Sequence, residues 1–353
     1  MNSGSMAKLT RMRRRGVTVI LGALITALLA IGVMATPLPY VVLKPGPTVN
    51  TLGSDNGKEV IQVTNADTST STGQLRLTTV GVQPDVELVW AIRGWFSNEQ
   101  AVVPRELIYP PDQSEKQVEQ QNAQEFASSQ TSAETVALRE LGYPVETFVT
   151  AVTTGGPSVG VLEKNDILTS VDGTAVTSSQ KLTELVRAKK AGSTLTVAYT
   201  RAGKPGTAKI TTKADKDSDT PRIGVEIDQR QPHPFTVKID LDEIGGPSAG
   251  LMFTLGIIDK LRPADLTGGK IIAGTGTIDD DGNVGPIGGI PQKLVGAKEA
   301  GAQIFLVPAD NCAEALRNAV PGLPMARVAT VDDALAAVAT FTSGGTPAKC
   351  TAS

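Results

Sequence analysis

Gly245–Gly250 (GGPSAG) separates two segments whose apolar residues repeat with different periods. Phe235–Leu241 alternates apolar and polar residues, which is typical of a half-buried strand, and Ser248–Leu261 (SAGLMFTLGIIDKL) is apolar enough for a buried helix. The glycines end the strand, so the sequence predicts Ser248 on the first helical turn. Backbone N–H groups of a first turn have no helical acceptor and can hold an oxyanion.

Gly285–Lys293 (GPIGGIPQK) supplies the base that a nucleophilic serine needs. A serine hydroxyl reacts slowly unless a neighbouring base removes its proton. His233 is the only histidine of the 353 residues, and the prolines on both sides of it hold the backbone extended, as expected of a linker. Lys293 instead lies on the opening turn of a helix that Pro291 begins. The two segments therefore predict a Ser–Lys dyad.

A lysine can act as this base only if its pKa falls from about 10.4 to about 7, which corresponds to roughly 4–5 kcal/mol. Burial supplies most of such a shift, and the positive end of the helix dipole adds to it. Gly246 and Ala249 are candidate supporting residues, because their backbone lies close to Ser248 in sequence. The alternative interpretation is that Ser248 only caps a core helix, and the lysine segment disfavours it.

The run from about residue 234 to 341 resembles the proteolytic domain of Lon-type peptidases. In that family the nucleophile lies in G-P-S-A-G and the lysine follows P-I-G-G after three residues; both patterns are intact in this sequence. The resemblance implies Ser248 as the nucleophile and Lys293 as the base. Thr275–Ile278 (TGTI) matches the family's T-G-E-I strand with Thr277 in place of glutamate, so Thr275 is a candidate hydrogen-bond partner of the lysine.

The chain after Thr275 also follows the order of elements in that family. A strand at 303–307, a helix, a strand at 325–329 and a final helix predict an α+β proteolytic domain over 220–342, with a tail at 343–353. Cys312 begins the helix after the first of these strands, and Cys350 lies in the tail. In an oxidising compartment they could form a disulfide that fastens the tail; two unrelated thiols are the alternative.

The N-terminus predicts a membrane anchor. Four arginines within residues 1–16 precede the segment 17–36, which begins with 19 uncharged, mostly apolar residues. At about 1.5 Å per residue this run spans nearly 30 Å, enough for one bilayer crossing. The arginines favour a cytoplasmic N-terminus, so the rest of the chain is expected outside the cytoplasm, at the bacterial cell membrane. A cleaved signal peptide is the alternative, because Val33–Ala35 resembles a small-residue cleavage site.

Residues 129–215 resemble a bacterial PDZ domain and are expected to be rich in β-structure. Pro157–Leu168 parallels the P-A-A-G-x-L-x-x-G-D-x-I pattern of that family, with Asn165 in place of the usual glycine. Such domains bind an extended peptide by adding it as a strand beside a helix. Here the resemblance implies a groove between the strand at 145–150 and the helix at 179–190.

The order of anchor, PDZ unit and Lon-like domain resembles the membrane-anchored PDZ–Lon proteases of bacteria. In those proteins the segment before the PDZ unit packs with the catalytic domain. The extracytoplasmic segment 37–128 either does the same here, making the PDZ unit an insertion, or packs separately. Within and after it, residues 112–140 are predicted to be helical, with a disordered linker over Asp112–Gln124 as the alternative.

Composition and missing motifs exclude several classes of function. A formal net charge of −3 gives no nucleic-acid-binding signature, and the absence of paired histidines, CxxC and HExxH predicts no metal site. No GxxxxGK[ST] occurs, so we expect no nucleotide, no other cofactor and no ATP-driven unfolding of substrates. Lon-like domains often assemble into rings, and the sequence is compatible with an oligomer without fixing the number of subunits.

The sequence therefore predicts an ATP-independent, membrane-anchored extracytoplasmic serine endopeptidase. Its substrates are expected to be flexible proteins or peptides, which the PDZ groove recruits or gates. The alternative is a catalytically inert, membrane-tethered PDZ scaffold, and the intact serine and lysine segments disfavour it.

Overall fold

The computed structural model describes residues 17–29, 32, 38–97, 99–215, 218–241 and 245–351. The predicted basic N-terminus at 1–16 lies outside these residues, and so does part of the predicted anchor at 17–36. Residues 17–29 are helical (α1). No helix within the described ranges has both the length and the apolar character needed to cross a bilayer.

From residue 38 onward the elements fall into three consecutive regions. The first contains β1 (Tyr40–Asn50), β2 (Ser54–Asp55), β3 (Lys58–Glu59), β4 (Ile61–Thr64), β5 (Gln74–Gln83), α2 (Leu88–Trp95), β6 (Ala101–Pro104) and α3 (Glu115–Glu140). The second contains β7 (Glu146–Val152), β8 (Ile167–Val171), β9 (Thr174–Ala175), α4 (Ser179–Arg187), β10 (Thr194–Arg201), β11 (Lys204–Thr211), β12 (Lys213–Asp215), β13 (Ser218–Arg222) and β14 (Val225–Arg230). The third contains β15 (Thr236–Ile239), α5 (Gly250–Leu261), β16 (Ile271–Gly274), β17 (Thr277–Ile278), β18 (Val284–Gly285), α6 (Ile290–Glu299), β19 (Ile304–Pro308), α7 (Cys312–Arg317), β20 (Met325–Val328) and α8 (Val331–Thr342). Short 3₁₀ turns lie at Arg105–Leu107 and Ala309–Asn311.

The first and third regions share one six-stranded sheet, in the order β20-β19-β16-β5-β1-β6. Gln74–Leu77 of β5 pairs in parallel with Ile271–Gly274 of β16, whereas β1 pairs antiparallel with both β5 and β6. Parallel strands need a long connection, and between β5 and β16 that connection contains the whole second region. Residues 40–83 and the chain after residue 271 therefore belong to one structural unit.

Helices cover both faces of this sheet. In β19, Ile304 and Leu306 face a core that includes α5 and α8, while Phe305 and Val307 face a second core with α6 and α7. This two-sided burial explains why β19 is a continuous apolar run rather than an alternating one. The helices α5 and α6 thus approach from opposite faces, and their N-termini meet beyond the carboxyl end of β16, where Thr275 follows the strand.

Helix α3 crosses the predicted boundary between residues 128 and 129. A capping box formed by Ser114 and Gln117 begins it, and the helical prediction for this segment is confirmed from Glu115 onward. From Phe126 onward it packs on α5, with the rings of Phe126 and Phe253 centred 5.7 Å apart. The predicted start of the PDZ unit at residue 129 is therefore wrong, because residues after it lie in the core of the first and third regions: Ala133, Val136, Ala137 and Leu138.

The second region has its own sheet, in the order β11-β10-β8-β7-β14, and its own core with α4. Asn165 adopts φ +71°, a left-handed conformation that asparagine tolerates. Because β14 pairs with β7 along its length, the edge strand beside α4 is β14. Two predictions are corrected by this pairing: the groove does not use the strand at 145–150, and the unit extends to Arg230 instead of ending at residue 215.

Cys312 and Cys350 are joined by a disulfide, and both are buried. Cys350 packs in the core formed with α6 and α7, and the carbonyl of Ala348 accepts a hydrogen bond from the Arg327 N–H at 2.9 Å. The tail is therefore fastened to the domain that carries Lys293.

Replacing both cysteines by serine is expected to lower thermal stability without preventing folding. The bridge joins residues 38 positions apart, and closing such a loop is worth about 4 kcal/mol in the chain-entropy model. Thermal unfolding with and without reductant measures the effect: the wild type should melt earlier in reductant and the double variant should not respond. A wild-type melting temperature that reductant leaves unchanged would contradict the prediction.

Candidate active site

Ser248 lies in the loop that leads into α5. The helix begins at Gly250, so Ser248 precedes it by two residues and the predicted start of the helix at Ser248 is wrong. Gly246 has φ +83°, which favours glycine, and its N–H donates to the carbonyl of Asn122 at 2.9 Å. The Ser129 hydroxyl donates to the carbonyl of Pro247 at 3.0 Å. Helix α3 therefore holds the loop that presents the serine.

Gly250 permits a close approach that the loop requires. A β-carbon at this position would lie 2.8 Å from both the Ser129 hydroxyl oxygen and a side-chain carbon of Ile278. These distances are shorter than carbon contacts normally become, so any larger residue would push α3 away from α5. The last glycine of the GGPSAG segment is thus explained by packing rather than by backbone conformation.

Lys293 lies in the first turn of α6. Its N–H donates to the carbonyl of Gly289 at 3.1 Å, and Gly289 adopts φ +72° just before the helix. Lys293 is only 3% exposed. Its Nζ lies 2.8 Å from the Oγ of Ser248 and 2.9 Å from the Oγ1 of Thr275. The structure therefore brings together the serine, the lysine and the threonine that the sequence singled out.

Thr275 orients both other residues. It is fully buried, and its hydroxyl donates to the carbonyl of Ser248 at 3.0 Å. Since that proton is used, the Thr275 oxygen accepts a hydrogen from the lysine amine. A neutral amine held in this way can direct its lone pair at the Ser248 hydroxyl. The Gly276 N–H donates to the same Ser248 carbonyl at 2.9 Å, which fixes the serine backbone further.

Burial lowers the pKa of Lys293 to about 7. The charged ammonium would lose its hydration in this position, and two hydroxyl groups replace that hydration only in part. Near neutral pH a substantial fraction of the amine is therefore uncharged. An uncharged amine 2.8 Å from a serine hydroxyl can remove its proton.

Two backbone donors next to the serine are free to bind a ligand oxygen. Within the described part of the chain, the N–H groups of Ser248 and Ala249 have no hydrogen-bond acceptor. Ala249 is 4% exposed, so its N–H lies where water has little access. Donors in such a setting stabilise negative charge on a tetrahedral intermediate. Gly246 has a different role, since its N–H is already bonded to α3.

A cavity of about 380 Å³ opens over Ser248 and Lys293. One wall is β5, which belongs to the segment 37–128 and therefore packs with the catalytic domain, as one of the two alternatives for that segment predicts. The β5 residues in the wall are Leu77, Thr78, Thr79, Val80 and Gly81. The pairing of β5 with β16 stops at Leu77, so the next residues of β5 have no neighbour on that edge among the strands that the structure describes.

Asn311 was not predicted as a site residue, yet it fixes the loop before the lysine helix. Its side-chain oxygen accepts from the Ile287 N–H at 2.9 Å, and its amide nitrogen donates to the Ile287 carbonyl at 2.9 Å. Asn311 is 6% exposed. The sequence contains the signal, because the segment 308–311 follows the same strand as in the resembling family, but only the structure supplies the contact.

Replacing Thr275 by valine is expected to lower kcat about 10- to 100-fold with little change in KM. The hydroxyl contacts the amine and the serine carbonyl rather than the cavity. Lys293 becomes charged as it accepts the serine proton, and a hydrogen bond to a charged group is worth about 1.5–3 kcal/mol. Thr275→Ser keeps the hydroxyl and should retain most of the activity. Steady-state kinetics of the two variants would contradict this role if both lost activity equally or if the loss were confined to KM.

Comparison with known families agrees with this geometry. Residues 118–212 match the model of a PDZ domain family, and residues 242–339 match that of the Lon protease (S16) C-terminal proteolytic domain. The second match contains Ser248, Thr275, Lys293 and Asn311. The first begins inside α3, although the sheet of the second region starts at β7.

Curated relatives match parts of the chain. A Lon protease of Koribacter versatilis is 28% identical over 33% of this chain and 15% of its own length. A Lon protease of Azospirillum brasilense is 40% identical over 26% of this chain and 11% of its own length. Lon protease 2 of Bacillus subtilis is 35% identical over 26% of this chain and 16% of its own length. The chain thus spans less than a fifth of the length of these relatives.

Solved structures of PDZ domains match about a quarter of the chain. The PDZ domain of an SdrC-like protein from Listeria monocytogenes is 34% identical, covering 23% of this chain and 85% of that one, with a TM-score of 0.22. The corresponding domain from Listeria innocua is 31% identical, covering 25% and 98%, with a TM-score of 0.22. The family matches confirm the predicted combination of a PDZ domain and a Lon-type serine-peptidase domain in a mixed α+β protein.

Proposed function

We propose that this chain is an ATP-independent, membrane-anchored serine endopeptidase that acts outside the cytoplasm. One observation carries the enzymatic part: the Nζ of a buried lysine, with its pKa lowered to about 7, lies 2.8 Å from the hydroxyl of Ser248. A capping serine needs no base, whereas a nucleophilic serine does. ATP independence is supported by the absence of a phosphate-binding GxxxxGK[ST] loop from the sequence.

In the acylation step, the Oγ of Ser248 attacks the carbonyl carbon of the scissile peptide bond while Lys293 accepts the hydroxyl proton. The N–H groups of Ser248 and Ala249 hold the resulting oxyanion. The Lys293 ammonium then gives its proton to the leaving amine as the C–N bond breaks. In the second half of the reaction Lys293 removes a proton from a water molecule as that water attacks the acyl-enzyme carbonyl. Lys293 then returns the proton to the Ser248 Oγ as the ester C–O bond breaks, which releases the acid and free Ser248.

Labelling with a serine-directed covalent probe tests the nucleophile against the scaffold alternative. We expect a fluorophosphonate to modify Ser248 in the wild-type chain, with the adduct located by mass spectrometry of the peptide that contains it. The Ser248→Ala variant should not be labelled, and Lys293→Met should be labelled much more slowly. A folded wild-type chain that resists labelling would favour an inert, tethered PDZ scaffold.

The proposals of a membrane anchor and of an extracytoplasmic location are based on the sequence. The apolar run at 17–35 and the arginines before it motivate both, and a disulfide is typical of an oxidising compartment. Protease treatment of intact spheroplasts tests the topology. Digestion of the catalytic domain without lysis is expected, and protection until lysis would reverse the proposed orientation.

The PDZ groove is proposed to recruit substrates. A cavity of about 340 Å³ lies between α4 and β14, and its apolar lining suits the side chains of an extended peptide: Leu182, Val186, Ile223, Val225 and Ile227. Because β14 is an edge strand, its outer edge can accept a peptide strand. Substrates are proposed to be flexible segments of proteins, since no unfolding motor is present in the sequence.

Blocking this groove is expected to impair cleavage of proteins more than cleavage of short peptides. Thr183→Arg places a long charged side chain in the groove lining without removing a core residue. Gln180→Arg makes the same charge change on the exposed side of α4 and serves as the control. Comparing kcat/KM for a protein and for a short peptide should show a loss of about tenfold for the protein with Thr183→Arg only. Equal effects on both substrates, or faster protein cleavage, would contradict recruitment.

A further inference from the structure

Helix α2 buries its small residues and exposes its large apolar residues, which is the reverse of an ordinary surface helix. The residues that face the protein are small: Ala91 is fully buried, and a β-carbon on Gly94 would lie 2.8 Å from Val102 on β6. The large apolar residues face outward instead, with exposed fractions of 47% for Trp90, 55% for Trp95 and 86% for Phe96. Val89 and Ile92 are also exposed. An ordinary amphipathic helix would bury these residues and expose the small ones.

This surface, which we call the aromatic face (Val89, Trp90, Ile92, Trp95 and Phe96), is unusual for the molecule. From residue 38 onward, eight large apolar side chains are exposed in the described part of the chain, and five of them form the aromatic face. Both tryptophans of the whole sequence are among them. A contiguous apolar patch of this kind marks a surface that is covered in the working protein.

The position of the aromatic face identifies what covers it. The N–H of Leu38, the first residue described after the apolar run, donates to the carbonyl of Val86 at 3.0 Å, immediately before α2. Tyr40 lies edge-on against Trp95, with ring centroids 6.1 Å apart. Only two residues, Thr36 and Pro37, separate Ala35, the end of the apolar run, from Leu38, and the three steps between these α-carbons can span about 10 Å. The polar headgroup layer is about 5–8 Å thick, so α2 lies at its depth when residues 17–35 cross the bilayer.

We propose that the aromatic face inserts into the headgroup layer of the membrane and gives the catalytic unit a second, fixed contact with the lipid surface. The inference rests on the proposed anchor. Tryptophan and tyrosine favour this layer because one part of each ring is apolar and the other carries a hydrogen-bonding group. The aromatic face then orients the unit, whereas a single helix followed by a short linker would let it rotate freely.

Tryptophan fluorescence of the full-length chain tests the insertion directly, because both tryptophans lie on the aromatic face. The chain is reconstituted into vesicles of phosphatidylcholine and phosphatidylglycerol, with phosphatidylcholine brominated at either shallow or deep acyl positions. We expect about twofold quenching by the shallow label, weaker quenching by the deep label, and little quenching by aqueous iodide. Trp90→Phe and Trp95→Phe, made separately, assign the signal to each residue.

A tryptophan placed elsewhere provides the control. Val159 is 54% exposed in the PDZ unit, and Val159→Trp in the Trp90→Phe/Trp95→Phe background should remain open to iodide and insensitive to brominated lipid. Flotation of the same vesicles separates the two hypotheses. A chain that floats while Trp90 and Trp95 stay open to iodide overturns the insertion alone, and a chain that does not float overturns the anchor as well. Shielding that grows with the protein-to-lipid ratio, without quenching by lipid, would assign the aromatic face to a second copy of the chain and overturn the proposal.

Discussion

Replacing Ser248 by alanine is expected to lower kcat/KM for a short peptide by at least about 10⁴-fold. Removing the nucleophile of a catalytic unit leaves only substrate binding and the oxyanion donors, and in other serine hydrolases the loss of a single such residue is of this order or larger. The remaining contacts of the loop do not involve the Ser248 hydroxyl, so the fold should persist: Gly246 with Asn122, and Pro247 with Ser129. Progress curves with a fluorogenic peptide measure the loss.

The control for this variant is Ser343→Ala, which removes an exposed serine just after α8 and should leave kcat/KM unchanged. The Ser248→Ala/Lys293→Met double variant provides a second test. Since the two residues act as one unit, it should be hardly less active than the less active of the two single variants. Losses that multiply would show that the two side chains act independently, which is incompatible with a dyad.

The side chains that meet in the candidate site could be predicted from the sequence, because a short local segment places each of them. Glycine before Ser248 and before Pro291 ends one element and begins the next, and the lack of other bases leaves Lys293 as the partner. Their contact depends on α5 and α6 approaching from opposite faces of one sheet, and that arrangement follows from the two-sided burial of β19. The pKa of the lysine then follows from its position.

The supporting parts could not be predicted because they come from pairings distant in sequence. Nothing local in β5 indicates that its neighbour is β16, almost two hundred residues later, or that its free edge lines the cavity. The same limitation explains the error in the PDZ groove. The strand at 145–150 has the alternation of an edge strand. Since β14 pairs with it, however, the strand at this edge of the sheet is β14. The predicted boundary at residue 128 falls inside α3, because the weak apolar pattern of this helix does not indicate which core it joins.

Replacing Lys293 by methionine is expected to abolish hydrolysis while stabilising the folded protein at neutral pH. Methionine fills a similar volume but cannot accept the serine proton, so kcat/KM should fall by about 10³-fold or more. The stability gain follows from the pKa of Lys293, which is lowered from 10.5 to about 7 by burial. The unfolded chain binds a proton below pH 10.5 and the folded chain only below about 7, so folding carries a penalty of roughly 4–5 kcal/mol at pH 7. The lost hydrogen bonds to Ser248 and Thr275 reduce the net gain.

The stability difference between Lys293→Met and wild type is expected to depend on pH. Between about pH 7 and 10.5 the unfolded state of the wild type holds more protons than the folded state, so the free energy of unfolding attributable to Lys293 rises with pH and its penalty disappears toward pH 10.5. The difference in the free energy of unfolding between Lys293→Met and wild type should therefore be largest at or below pH 7 and shrink at pH 9, as measured by urea unfolding.

The pH dependence of wild-type kcat/KM should report the titration of the same amine. The value of kcat/KM should fall about tenfold per pH unit below pH 7 and level off above it. Lys298→Met, on the exposed side of the same helix, should change neither property. A difference in the free energy of unfolding between Lys293→Met and wild type that does not change from pH 7 to pH 9 would mean that the lysine is charged in the folded state, and a charged lysine cannot be the base.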